Sequence, residues 1–178
     1  MLPSLLFLIG YRGTGKTTVA RLLAERLGWK WLDADDVLEG RFGRSIRAIF
    51  ADEGETGFRD KEATVLGDLC KLQNHVIATG GGVIMRSENR EQMRRSGLVV
   101  WLCSDAKTIW KRLQADACTA ERRPDLTCGG LAEIEQLLTM RQPLYAACAH
   151  LSVDTAGREP LEIVDKVLKN MENRNDFQ

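Results

Sequence analysis

The chain is expected to fold as an α/β domain, a five-stranded parallel sheet flanked by helices on both faces, and three observations carry that expectation. Short strand-like runs recur along the sequence, longer stretches with helical periodicity separate them, and the first run leads straight into a glycine-rich loop. Strands that alternate with helices form parallel sheets, because each helix serves as the crossover to the next strand and covers one face. Right-handed crossovers then bring the C-terminal ends of all strands, and with them the ligand crevice, to one edge.

The first run is Leu5 to Ile9, an uninterrupted apolar segment that suits a central strand. It enters Gly10-Tyr-Arg-Gly-Thr-Gly-Lys-Thr17, the G-x-x-x-x-G-K-T pattern of a P-loop. Gly10, Gly13 and Gly15 allow the backbone to curl so that successive N–H groups point inward. Lys16 and Thr17 begin a helix whose apolar face is Val19, Leu22, Leu23 and Leu27. This element binds the phosphates of a nucleoside triphosphate, with Gly13, Thr14, Gly15, Lys16, Thr17 and Thr18 as its contacts, and it makes the fold a P-loop NTPase fold.

The second run, Lys30 to Asp33, ends in Asp33-Ala-Asp-Asp36. Alternation along a strand would put Asp33 and Asp35 on one side, facing the phosphates. Carboxylates there suit two tasks, holding Mg²⁺ with its waters and orienting an acceptor hydroxyl. Asp36, just before the helical pattern Val37, Leu38, Arg41, is expected to cap that helix. The third run, His75 to Thr79, opens into Gly80-Gly81-Gly82, where absent side chains let backbone N–H groups approach a ligand. The fourth, Leu98 to Leu102, precedes Asp105, a rival metal ligand whose position better fits a helix cap. His150 to Val153 is the fifth. Ala115 to Gly130 lacks periodicity and contains Arg122-Arg123-Pro124, which suggests a mobile lid of about residues 115–130. The polar tail, Asn170 to Gln178, is expected to fray.

Composition narrows the partners. With 178 residues and no repeat or low-complexity tract, residues 1–178 read as one domain. Acidic and basic residues balance at 25 each, so no positive field draws the chain to nucleic acid or an anionic membrane. Cys70, Cys103, Cys118, Cys128 and Cys148 are odd in number and form no C-x-x-C pair, which points to reduced thiols and a cytoplasmic location. The apolar run at the N-terminus lacks the flanks of a signal peptide. Trp29, Trp31, Trp101 and Trp110 are expected in the core, and neither His75 nor His150 has a neighbour that suggests catalysis.

The P-loop, Asp33-Ala-Asp35, Gly57-Phe58-Arg59 with Glu62, Gly80-Gly81-Gly82, Arg123-Pro124 and Arg141-Gln-Pro-Leu-Tyr145, in that order, resemble the shikimate kinase family over nearly the whole chain. The resemblance implies ATP-dependent phosphorylation of the 3-hydroxyl of shikimate on the route to chorismate and the aromatic amino acids, with Mg²⁺ and in a monomer. By that resemblance Lys16 and the loop amides hold the phosphates, Thr17 binds Mg²⁺ and Asp33 reaches it through water. Asp35 orients the attacking hydroxyl, while Arg59, Arg141 and Gly80 to Gly82 fix the acceptor. Glu62 braces Arg59, Arg123 stabilises the transferring group from the lid, Arg112 and Pro160 sandwich adenine, and Arg158 touches the nucleotide. The family usually follows the lid proline with two leucines, whereas Asp125 intervenes here. The substrate's chemistry agrees independently, since a small carboxylate with three hydroxyls calls for planar cationic forks and hydrogen-bonding groups. A kinase of another polyol acid such as gluconate, or a nucleotide-dependent metabolite sensor without turnover, are the other readings weighed; neither needs the Asp35, Arg59 and Arg141 set together with an intact transfer apparatus.

Overall fold

Strand β1 (Leu5–Ile9) is buried along its whole length, and its side chains alternate between two cores. Leu5, Phe7 and Ile9 enter one, Leu6 and Leu8 the other, as the period of two along a strand requires. The computed structural model describes residues 4–115 and 130–175. After β1 come α1 (Lys16–Leu27), β2 (Lys30–Asp33), α2 (Ala34–Phe42), α3 (Ile46–Leu69), β3 (His75–Ala78), a 3-10 turn (Val83–Met85), α4 (Ser87–Ser96), β4 (Leu98–Cys103), α5 (Ala106–Ala115), α6 (Gly130–Cys148), β5 (Leu151–Asp154) and α7 (Pro160–Asn175).

The strands pair in parallel in the order β2-β3-β1-β4-β5. Phe7 sits opposite Ile77 on one side and Val99 on the other, so the centre of the sheet is a row of large apolar residues. Helices α1 and α7 cover one face through Val19, Leu23, Val164, Val167 and Met171. Helices α3, α4 and α6 cover the other through Phe58, Leu66, Met93, Tyr145 and Cys148. Because every strand runs the same way, the P-loop, Asp33, Thr79 to Gly82 and Thr155 all follow strand ends on one edge.

Several expectations change in detail. Strand β2 passes into α2 without a linker, so Asp35 stands in the first helical turn rather than on the strand, and the alternation argument does not apply to it. Asp33 caps that helix, its Oδ1 accepting from the Asp35 N–H at 3.0 Å, so the cap falls three residues earlier than expected at Asp36. Asp105 does cap α5, accepting from the Thr108 N–H and hydroxyl. The tail does not fray at Asn170: α7 continues to Asn175, held by buried Met171. Trp31 is 37 % exposed on edge strand β2, and the other three tryptophans are only half-buried. The segment 116–129, with Cys118, Arg122, Arg123, Pro124, Asp125 and Cys128, lies outside the described residues.

Candidate active site

The P-loop closes around its own lysine. Lys16 Nζ donates to the carbonyls of Gly10 at 2.9 Å and Tyr11 at 2.8 Å, and Thr14 Oγ1 donates to Tyr11 O at 2.8 Å. Gly10 has φ +144°, and a Cβ there would lie 2.3 Å from Leu102 O, so the loop can turn against β4 only with glycine at this position. Gly15 caps α1 from the left-handed region with no side-chain hydrogen bond, and no acid occupies the first turn. The positive end of that helix, carrying Lys16, Thr17 and Thr18, is therefore left for an anion.

Beside it, Thr17 Oγ1 donates to Asp33 Oδ2 at 2.9 Å. Burial raises the Asp33 carboxyl above its ordinary value and the charge of Asp35 raises it further, against the lowering effect of its bonds from Thr17 and the Asp35 N–H. A hydroxyl and a carboxylate so paired are hard oxygen donors of the kind Mg²⁺ takes alongside phosphate and water. Asp35 lines a recess of about 260 Å³ with Gly80, Glu62 and Leu38.

The adjoining cleft, about 550 Å³, is lined by Arg59, Arg141, Gly81 and Gly82 as expected, and also by Tyr11, Arg12, Phe50, Phe58, Glu133 and Leu137. Arg59 is only 7 % exposed. Its Nη1 donates to Glu62 at 2.7 Å and its Nη2 to the more exposed Glu55 at 3.2 Å, so the bracing expected of Glu62 is present and a second carboxylate shares it. The guanidinium lies against Gly82, where a Cβ would come within 2.4 Å of Nη2. The last glycine of the run thus makes room for an arginine.

Helix α6 supplies the opposite wall. Arg141 and Tyr145 are one turn apart, and the pair explains the Arg-x-Pro-Leu-Tyr pattern. Buried Tyr145 donates to Gly81 O at 2.5 Å and so ties the glycine run to the helix, while the Arg141 guanidinium stands 5.8 Å from the centre of the Tyr11 ring. Burial pushes the Tyr11 phenol up, Arg12 and Arg141 pull it down, and Glu133 adds to the rise. Phe50 and Phe58 stack with ring centres 4.5 Å apart and give the cleft an apolar floor.

At the far side of the P-loop, Arg112 donates to Thr155 O at 2.7 Å, to Thr155 Oγ1 at 3.0 Å and to Gly13 O at 3.4 Å. Arg158 Nε donates to Asp154 O at 2.9 Å, and Pro160 begins α7 just beyond. The residues expected on the nucleotide side therefore gather at the end of β5, and Arg112 reaches from there to the loop. Sequence reasoning missed Tyr11 and Arg12 because they fill variable positions of the P-loop pattern. It missed Glu133 and Leu137 although they precede Arg141 on its helix face at intervals of four, a spacing that was available to find them.

Comparison with known proteins matches residues 12–172 to the family model described as shikimate kinase. A shikimate kinase of Rhodopirellula baltica is 46% identical over 168 residues, 94% of this chain and 90% of its relative. One from Symbiobacterium thermophilum is 41% identical over 170 residues, 95% of this chain and 97% of its relative. Among solved structures, shikimate kinase from Acinetobacter baumannii in complex with shikimate superposes with a TM-score of 0.90 at 35% identity, covering 97% of this chain and 94% of that one.

Proposed function

The chain belongs to the shikimate kinase family, and from that premise we propose that it transfers the γ-phosphate of ATP to the 3-hydroxyl of shikimate, giving shikimate 3-phosphate and ADP. The observation that carries this reading is the single cleft lined by Arg59, Arg141, Gly81 and Gly82 together with Tyr11 and Arg12 of the P-loop. Two guanidinium forks suit a carboxylate, and holding acceptor and nucleotide side by side makes transfer effectively intramolecular.

Each residue has a part. Lys16 exchanges its two carbonyl partners for phosphate oxygens, and the loop amides with Thr14 and Thr18 complete the cradle. Thr17 and Asp33 would hold Mg²⁺, directly and through water; when bound, the ion offsets charge on the β- and γ-phosphates. Asp35, beside Gly80, orients the attacking hydroxyl and takes its proton. Arg59 and Arg141 hold the carboxylate, and the glycine run admits the ring. Arg112, Arg158 and Pro160 face the nucleotide, and Arg123 supplies the cation that stabilises the transferring group. No covalent enzyme intermediate is required.

The enzyme is taken to act as a cytoplasmic monomer; Cys70, Cys103 and Cys148 are free thiols, in keeping with a reducing compartment. No described helix is long and apolar enough to cross a membrane. A coupled assay of ADP release from ATP and Mg²⁺, with and without shikimate, tests the activity. Release that needs shikimate supports transfer, and release indifferent to it overturns the reading.

A further inference from the structure

The acceptor cleft contains an acid in a place meant to receive one. Glu133 is only 8 % exposed and lines the cleft together with Arg12, Arg59 and Arg141. A buried carboxylate costs desolvation, and one bordering an anion site also repels the ligand, so its presence needs a reason. Its surroundings provide one. Helix α6 brings Glu133 and Arg141 to the same wall, and the Tyr11 hydroxyl lies within the influence of Arg12, Arg141 and Glu133 together. The Arg59 charge is met by buried Glu62 at 2.7 Å and, on its outer edge, by the exposed Glu55 at 3.2 Å. Glu55 and Glu62 are spent on Arg59, so Glu133 is the carboxylate that faces Arg12 and Arg141 from the cleft wall. Without the charge of Glu133 the cleft would be more positive by one.

We infer that Glu133 is a specificity-determining residue of the acceptor cleft: its carboxylate, placed among Tyr11, Arg12 and Arg141, lowers the positive charge of the cleft by one and so selects ring acids with a single carboxylate over those with two. A second carboxylate on the ligand meets this like charge. The inference rests on the acceptor reading proposed above.

The test compares wild type, Glu133→Gln and Glu133→Asp, each checked for folding by thermal melting. Two planar inhibitors competing with shikimate are measured, 3,5-dihydroxybenzoate with one carboxylate and 5-hydroxyisophthalate with two. Wild type should favour the first. Glu133→Gln should move the ratio of inhibition constants toward the dicarboxylate by roughly tenfold, while Glu133→Asp keeps the wild-type ratio. An unchanged ratio in folded Glu133→Gln, including one in which both inhibitors weaken together as a purely structural role would make them, overturns the inference. Wild-type ADP release that ignores shikimate strikes the parent reading instead, so the two failures are separable.

Discussion

At the level of single residues, the site depends on how each charged group is held before any ligand arrives. Arg59 is the clearest case, because Glu62, Glu55 and the bare Cα of Gly82 together fix its plane. Gly82→Ala pushes a methyl group into that guanidinium. Its expected effect is a rise of at least tenfold in KM for shikimate with KM for ATP nearly unchanged, read from steady-state kinetics; a parallel rise in both would remove Gly82 from the acceptor side. Asp35 lines the recess beside Gly80, and the proposed mechanism gives it the acceptor's proton. Asp35→Asn is expected to keep shikimate affinity and lower kcat by about 10²–10⁴-fold, the range of a general base. Near-normal turnover would exclude it.

The elements explain why some of this was legible beforehand. The central strands β3, β1 and β4 followed from apolar runs, because central parallel strands must be apolar on both sides, the P-loop helix followed from its periodicity, and the mixed edge strands β2 and β5 followed from their places between helical stretches. The roles of Asp33 and Asp35 were harder to place, since β2 and α2 join without a linker and alternation along a strand cannot continue into a helix. Tyr11 and Arg12 were hidden in a pattern that prescribes only its glycines, lysine and threonine. Tyr145, by contrast, is conspicuous in sequence, yet its task is visible only in three dimensions, where it links α6 to the loop after β3 through the Gly81 carbonyl. Tyr145→Phe leaves that buried acceptor unpaired. The expected cost is about 1–3 kcal/mol in urea unfolding, accompanied by weaker shikimate binding as the glycine run loosens. Unchanged stability would show that the bond contributes nothing.

Over the whole molecule, the sheet divides labour between its faces and its edge. The faces hold two apolar cores, and the edge collects the strand ends that carry the P-loop, Asp33 and the glycine run. Cys148 belongs to a face. Burial raises its thiol to about 11, although Arg94 and Arg90 lower it somewhat. A thiol whose folded value lies above its unfolded value keeps its full contribution below about pH 8.5 and loses it as pH rises toward the folded value. Stability should therefore fall between those limits by more in wild type than in Cys148→Ala, and Cys148 should resist alkylation at pH 8 until the protein unfolds. Equal alkaline loss in both proteins would contradict this.

The central claim is that the cleft reads an organic acid through paired arginines beside a nucleotide cradle that does not depend on them. Titration calorimetry of wild type and Arg141→Ala with shikimate, and separately with an ATP analogue and Mg²⁺, addresses it most directly. The account predicts a loss of shikimate affinity of at least thirtyfold, roughly the 2 kcal/mol or more of a charge-assisted bidentate contact, with the nucleotide affinity within about twofold of wild type. Equal losses for both ligands, or retained shikimate affinity, would contradict it.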